Sequence, residues 1–412
     1  MPTNKKYFEL IILGCSGGPL SGKTCSFLLK PTDVAYVDYI ETNSGPKNYP
    51  LLAIDAGTGL TSIFDILDNE EKNKLDYLKS SFLVELYPKT FDNMDKLVNC
   101  MSKFICTDNM DIKIPFSNIK QSLLDNCVDL DESTGSLTNF QIAHRILNSI
   151  NGYFITHSHL DHVSSLVINS PAFKKPKKVF GISETMTSIR NNLFNDSVWP
   201  DLVSLGLISL NILEENVIHN DLSDRYALSL FKVSHGMHLI NNDRYFSTAF
   251  LIKDKLHDYN VLFFGDVESD LSSNTNYNSI IWNNVSHLIN EDKLNTCIIE
   301  CSTTDMPPPL FGHLTPSNLI YEMLNLRKIC IDLKNKHPGK QIDQTLPYDD
   351  DYYKSSIFQP LKDLNVIIIH VKETLEDINP RQLILSKLNE LNTFHNLGIN
   401  FSIALSGISL IV

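Results

Sequence analysis

Apolar and polar positions along this chain follow two periods. Phe8-Glu9-Leu10-Ile11-Ile12-Leu13 is a β-rich run that ends at Gly14, and it reads as a strand. Similar runs lie at Ser26 to Leu29, Val34 to Val37 and Leu51 to Ile54. From about residue 60 to 148 the spacing becomes helical. Leu60 to Leu67, Phe91 to Phe104 and Leu137 to Asn148 put apolar residues three and four apart. Beyond that, strands and helices alternate. Strands are predicted at Gly152 to Ile155, Val179 to Ile182, Leu207 to Leu213, Tyr226 to Val233, Tyr245 to Ile252, Val261 to Phe264, Thr296 to Ile299 and Val366 to Ile369. Helices are predicted at Glu184 to Leu193, Ile280 to Ile289, Ser317 to Leu333 and Pro380 to Leu391, the last with proline in its first turn. Tyr348 to Tyr353 reads as an acidic, aromatic loop, and Phe401 to Ile411 closes the chain as strands. Mixed strands with flanking helices predict an α/β protein of two packed sheets covered by helices. Residues 70–136, rich in Asn, Asp and Lys, read as a helical insertion on the outside of a single domain spanning 1–412.

Composition narrows the class. The 412 residues are 42% apolar and 20% charged, as expected for a folded globular protein. No segment approaches the roughly 20 apolar residues that span a bilayer. The start, Met1 to Leu10, lacks the apolar core of a secretory signal, so the expected address is cytoplasmic, with the nucleus as an alternative. The eight cysteines are scattered without a C-x-x-C pair and read as reduced structural thiols. A formal net charge of −13, with no basic run longer than the patch at 174–178, argues against a nucleic-acid partner. It does not argue against a small anion, which a metal and a few donors can hold locally.

The densest chemistry lies in Thr156-His157-Ser158-His159-Leu160-Asp161-His162, directly after an apolar run. Such a cluster at a strand end delivers several imidazoles and one carboxylate to one point, a donor set that suits zinc and related divalent ions. Three later apolar runs also end in a candidate ligand: His235 after Val233-Ser234, Asp266 after Phe264-Gly265, and His370 after Ile369. Strand ends are where sites are commonly built. His238, three residues beyond His235, is an alternative ligand. Asp55, in Ile54-Asp55-Ala56-Gly57, is a candidate to orient a ligand imidazole or to serve as a turn residue.

The H-x-H-x-D-H pattern resembles the signature of the metallo-β-lactamase superfamily. The longer run His157 to Leu166 more narrowly resembles class II cyclic-nucleotide phosphodiesterases. Glu300, followed by Phe311-Gly312-His313-Leu314-Thr315-Pro316, resembles the Glu…Gly-His-x-Thr arrangement of the phosphodiesterase branch. Asn195 to Asp201, containing Trp199 and Pro200, resembles a further element of class II enzymes. The resemblance implies an αββα metallo-β-lactamase sandwich holding two divalent metal ions, zinc first, with Mn2+ or Mg2+ as alternatives. It implies that His157, His159 and His235 hold the first ion, that Asp161, His162 and His370 hold the second, and that Asp266 bridges them. A hydroxide shared by the ions would hydrolyse 3′,5′-cyclic AMP, with cyclic GMP as a further candidate, to the 5′-monophosphate and so damp cyclic-nucleotide signalling. Asp161, Asp266 and His313 are the catalytic candidates. His313, Thr315 and Trp199 are the substrate-contact candidates, and Glu300 would hold His313. The expected partner is the small cyclic nucleotide, with no membrane, and a homodimer is compatible. The alternatives are a tRNA 3′-processing endonuclease, another hydrolase of this fold, or a non-enzymatic scaffold.

Overall fold

The computed structural model describes residues 6–40, 50–72, 87–91, 101, 103–126, 137–307, 309–335 and 353–412. Its strands, in chain order, are β1 Phe8–Gly14, β2 Ser26–Pro31, β3 Leu51–Ile54, β4 Asp111–Lys113, β5 Ile150–Phe154, β6 Lys177–Gly181, β7 Ile208–Ile212, β8 Ile218–His219, β9 Tyr226–Met237, β10 Arg244–Asp254, β11 Tyr259–Phe264, β12 Leu294–Glu300, β13 Asn365–Ile369, β14 Asn400–Ile403 and β15 Ser409–Ile411. They form an eight-stranded sheet, β4-β15-β1-β2-β3-β5-β6-β7, and a seven-stranded sheet, β14-β13-β12-β11-β10-β9-β8.

Alternation along each strand decides which layer a side chain joins. In β1, Leu10 and Ile12 enter the core shared by the two sheets. Ile11 and Leu13 enter a second core beneath the helices Leu60–Lys72, Asn139–Ser149, Leu160–Ile168 and Ser183–Asn192. Across the shared core Phe27 meets Phe263, and Phe154 meets Phe250, edge to face at 5.0 and 6.0 Å between ring centres. The outer face of the second sheet is covered by the helices Tyr277–Asn290, Pro316–Lys334 and Pro380–Phe394, through residues such as Trp282, Met323 and Leu388. The result is the αββα sandwich expected from the resemblance. No helix among the described residues is long and apolar enough to cross a membrane.

Strand direction places the chemistry. β3 and β5 are parallel, as are β11, β12 and β13. β9 reaches β11 through two antiparallel pairings and so runs the same way. The C-terminal ends of these six strands lead to Asp55, the histidine cluster, Asp266, Glu300, His370 and His235.

Three expectations change. Val34 to Val37 is not a strand. Pro31 ends β2, Lys30 Nζ donates to the carbonyls of Pro31 and Val34, and Asp38 caps the amide of Ala35, so the chain turns into the helix Tyr36–Ile40. Within 70–136 the described residues include the helices Pro88–Phe91 and Ile119–Asn126, but also the edge strand β4, paired with β15. Asp-Ile-Lys is too short for alternation to show, and pairing alone makes it a strand. Nor is this stretch wholly external, because Tyr87, Phe104 and Met110 belong to the shared core. The predicted helix Phe91 to Phe104 and the loop Tyr348 to Tyr353 lie mostly outside the described residues.

Candidate metal centre

One ring nitrogen each from His157, His159 and His235 gathers with a carboxylate oxygen of Asp266 within 4.8 Å. His157 Nε2 and His235 Nε2 approach His159 Nδ1 at 3.0 and 3.3 Å. Asp266 Oδ2 lies 3.7 Å from His157 Nε2, 3.6 Å from His235 Nε2 and 3.1 Å from His370 Nε2. A second group shares the same carboxylate. His162 Nε2 is 3.3 Å from Asp266 Oδ1 and 3.7 Å from Asp161 Oδ2, while His370 Nε2 is 3.2 Å from Asp161 Oδ2. Donors about 2.1 Å from one tetrahedral ion stand about 3.4 Å apart, so this spacing suits shared cations. His162 Nε2 and Asp266 Oδ1 are buried, and neither has a hydrogen-bond partner among the described residues. Unpaired buried polar atoms are costly unless something else satisfies them. The donor set therefore fits divalent cations.

Four of the five rings are aimed by their other nitrogen, as expected of ligand histidines. Asp55 Oδ2 holds His162 Nδ1 at 2.7 Å. Thr156 Oγ1 is 3.0 Å from His157 Nδ1, the Gly312 carbonyl accepts from His235 Nδ1 at 2.8 Å, and Ser302 Oγ is 2.8 Å from His370 Nδ1. Tyr245 stacks on His159, with ring centres 4.6 Å apart and planes within 6°. Asp55 and His370 adopt φ of 55° and 60°, in the left-handed region that costs a non-glycine residue about 1–2 kcal/mol. Backbone bonds from Asp55 to Phe154 and from His370 to Cys15 hold them there. A Cβ on Gly17 would stand 2.5 Å from His370 Nδ1, so the glycine-rich loop after β1 is shaped by its approach to this ring.

His313 lies beside the second group. Its Nδ1 is 2.8 Å from Glu300 Oε1, 3.3 Å from Ser302 Oγ and 3.9 Å from Asp266 Oδ2. Glu300, fully buried, also accepts from the Val267 amide and from Ser302 Oγ.

Charge and burial divide the histidines. Burial lowers His157, His159 and His235, the last two to about 4, so these imidazoles are neutral at pH 7 and their lone pairs are available. Burial also opposes protonation of His162 and His313, but the neighbouring Asp266 and Asp55, and Glu300, outweigh it and raise both. For Asp161 and Asp266 burial is outweighed by the surrounding histidines, and both carboxyls fall below their usual range.

Other expected residues are placed differently. His238 packs against Tyr245 and joins no donor group among the described residues. Trp199 does not reach the cluster. Its indole N–H donates to Ser170 Oγ at 3.1 Å and its ring packs on the outer core, so packing rather than base stacking uses this tryptophan. Thr315 spends its hydroxyl capping the helix at Pro316. Thr156, Ser302 and Tyr245 were not predicted as part of the site. The first two adjoin predicted site residues or runs, whereas Tyr245 enters only through the pairing of β9 with β10. Cys25, read as structural, places its sulfur within 4.8 Å of ring nitrogens of His162 and His370.

Similarity to known proteins agrees with this geometry. A family model described as cAMP phosphodiesterases class-II matches residues 116–407. The 3′,5′-cyclic-nucleotide phosphodiesterase of Candida albicans is 33% identical over 98% of this chain and 100% of its own. The 3′,5′-cyclic-nucleotide phosphodiesterase 1 of Saccharomyces cerevisiae is 28% identical, covering 97% of this chain and 98% of its own. The crystal structure of unliganded yeast PDE1 superposes with a TM-score of 0.77 at 26% identity, covering 99% of this chain and 100% of that one. With a family model across most of the chain and a relative matching it from end to end, this protein belongs to the class II cAMP phosphodiesterases.

Proposed function

We propose that this chain, acting as one domain, hydrolyses 3′,5′-cyclic AMP to 5′-AMP at the histidine–aspartate cluster, with cyclic GMP as a second substrate, and so ends a cyclic-nucleotide signal in the cytoplasm. The observation that carries this reading is the convergence of His157, His235 and His370 on one oxygen of Asp266 and of His162 on the other, with the His313–Glu300 pair alongside. In this reading His157, His159 and His235 would hold one zinc ion and Asp161, His162 and His370 another, with Asp266 available to both sets. Such ions, when bound, polarise a phosphoryl oxygen and bring the pKa of water near 7.

The protein's own groups supply the rest. Asp55, Thr156, Gly312 and Ser302 fix the ring planes, so no reorganisation is needed as charge develops. Glu300 occupies Nδ1 of His313 and favours the charged ring, which leaves Nε2 to give a proton to the departing 3′ oxygen.

The test is release of 5′-AMP from cyclic AMP by purified protein, with and without chelator, alongside Asp266→Ala and elemental analysis. Metal-dependent release, two ions per chain and loss of more than about a thousandfold in the variant are expected, in line with losing a group that supports both ions. A protein that holds its metals and leaves cyclic AMP intact would overturn the reading.

A further inference from the structure

We infer that Tyr245 is the positioning residue for His159, doing by stacking what hydrogen bonds do for the other four rings. This rests on the proposed metal-dependent reading. His159 turns Nδ1 toward His157 Nε2 and His235 Nε2, at 3.0 and 3.3 Å. Its Nε2 has no hydrogen-bond partner among the described residues, and its side chain caps no amide of the helix Leu160–Ile168 that follows. A histidine ring turns broadly about its second side-chain torsion, so an unheld ring spreads its lone pair over many directions. Tyr245 removes that freedom. Its ring centre lies 4.6 Å from that of His159, with the planes within 6°.

The tyrosine is itself held from two directions. Where β9 pairs with β10, Arg244 opposes Met237 and Phe246 opposes Ser234, so Tyr245 faces both His235 and Gly236 at a bulge. The amide freed at Gly236 donates to Glu268 Oε1 at 3.1 Å. The Tyr245 phenol oxygen is 3.1 Å from Ser158 Oγ, and Ser158 donates to Ser188 Oγ at 2.9 Å. Ser158 has one hydroxyl proton and spends it on Ser188, so Tyr245 donates to Ser158. These hydroxyls tie the seven-stranded sheet to the loop after β5 and to the helix Ser183–Asn192, which packs on the other sheet. The ring that aims His159 is thus fixed by both halves of the sandwich. An imidazole that gives up its lone pair gains positive character, and such a ring is drawn more strongly to the face of a phenol. Tyr245 therefore favours the ligating state of His159 over the free one.

The experiment compares wild type with Tyr245→Leu, Tyr245→Phe and Ser158→Ala, each loaded with zinc or cobalt. Metal affinity is read by chelator competition, and ligand geometry by the visible absorption of the cobalt form. Losing one aromatic pair should lower metal affinity about two- to tenfold in Tyr245→Leu and shift the cobalt bands. Tyr245→Phe keeps the ring face and should recover most of that loss. Ser158→Ala should match Tyr245→Phe, because both cut the hydroxyl tether and leave the stack. A Tyr245→Leu protein that is less stable to urea without metal, yet binds metal like wild type with unshifted bands, would overturn the inference. So would a crystal structure of metal-loaded wild type in which His159 Nε2 meets a protein acceptor and the ring leaves Tyr245, a result that decides even where Tyr245→Leu does not fold. Wild type that binds no divalent metal would remove the metal-dependent reading and this inference with it. Wild-type binding that Tyr245→Leu leaves untouched would remove the role of Tyr245 alone.

Discussion

Two buried charged clusters sit at opposite ends of the first sheet, and they are built on different rules. At the far end of β2, Lys30 Nζ donates to Glu9 Oε2 at 3.0 Å and to the carbonyls of Pro31 and Val34 at 2.9 and 2.7 Å. Tyr36 donates to the other oxygen of Glu9. Three ammonium protons meet three acceptors, and nothing is left over. At the near end acceptors outnumber donors. The neutral imidazoles of His157, His159 and His235 crowd their lone pairs around the carboxylate of Asp266, and His162 Nε2 and Asp266 Oδ1, 3.3 Å apart, make no well-formed hydrogen bond among the described residues. Burial of charge is common to both. The balance of donors against acceptors separates a structural pair from a donor set suited to a cation.

Four perturbations would break or sharpen that contrast. The largest is His313→Ala, expected to lower kcat for cyclic AMP by about a hundredfold to ten-thousandfold with metal content unchanged. An unaltered kcat would return His313 to a packing role. Next is Lys30→Met, which strands Glu9 in the closed cluster. It should cost about 3–5 kcal/mol in urea unfolding while activity per folded molecule stays intact. Asp55→Asn weakens the aim of His162 and should reduce affinity for divalent metal about ten- to a hundredfold, measured by chelator competition.

The smallest effect is that of pH on the metal-free chain. Burial holds His235 down at about 4, while an unfolded imidazole titrates near 6.5. Between those values the unfolded chain binds more protons than the folded one, so stability falls as pH drops through that window. His157 adds to this, and His159, whose ring is enclosed by its neighbours but whose residue keeps a solvent-facing surface, adds less. His162 and His313, raised by carboxylates, act in the opposite sense above about 6.5. Thermal midpoints of chelated protein at pH 7 and pH 5 should show the lower value at pH 5. Equal midpoints would mean that these rings titrate normally.

The clustered residues were legible because most stand at or just beyond the end of a strand, and a strand end is visible as an apolar run that stops. The residues that aim the ligands were less so. Ser302 and Tyr245 gain their roles from neighbours distant in sequence, and a serine or tyrosine carries no periodic signal. Trp199 was ambiguous for the converse reason, since an aromatic ring suits stacking and packing equally, and the sequence does not show the Ser170 hydroxyl that takes its indole N–H. Val34 to Val37 has strand composition, but the carbonyls it turns toward Lys30 belong to a buried ammonium that local propensity does not register.

Gly312 links two jobs that could have been separate. Its carbonyl fixes His235, and the next residue is His313. Its φ of 81° and the 2.6 Å separation between a hypothetical Cβ and the His235 carbonyl oxygen leave no room for another side chain. One peptide unit thus works as a gauge block between the rings of His235 and His313. Loop changes that shift one ring would also turn the other, so the two can be retuned only together.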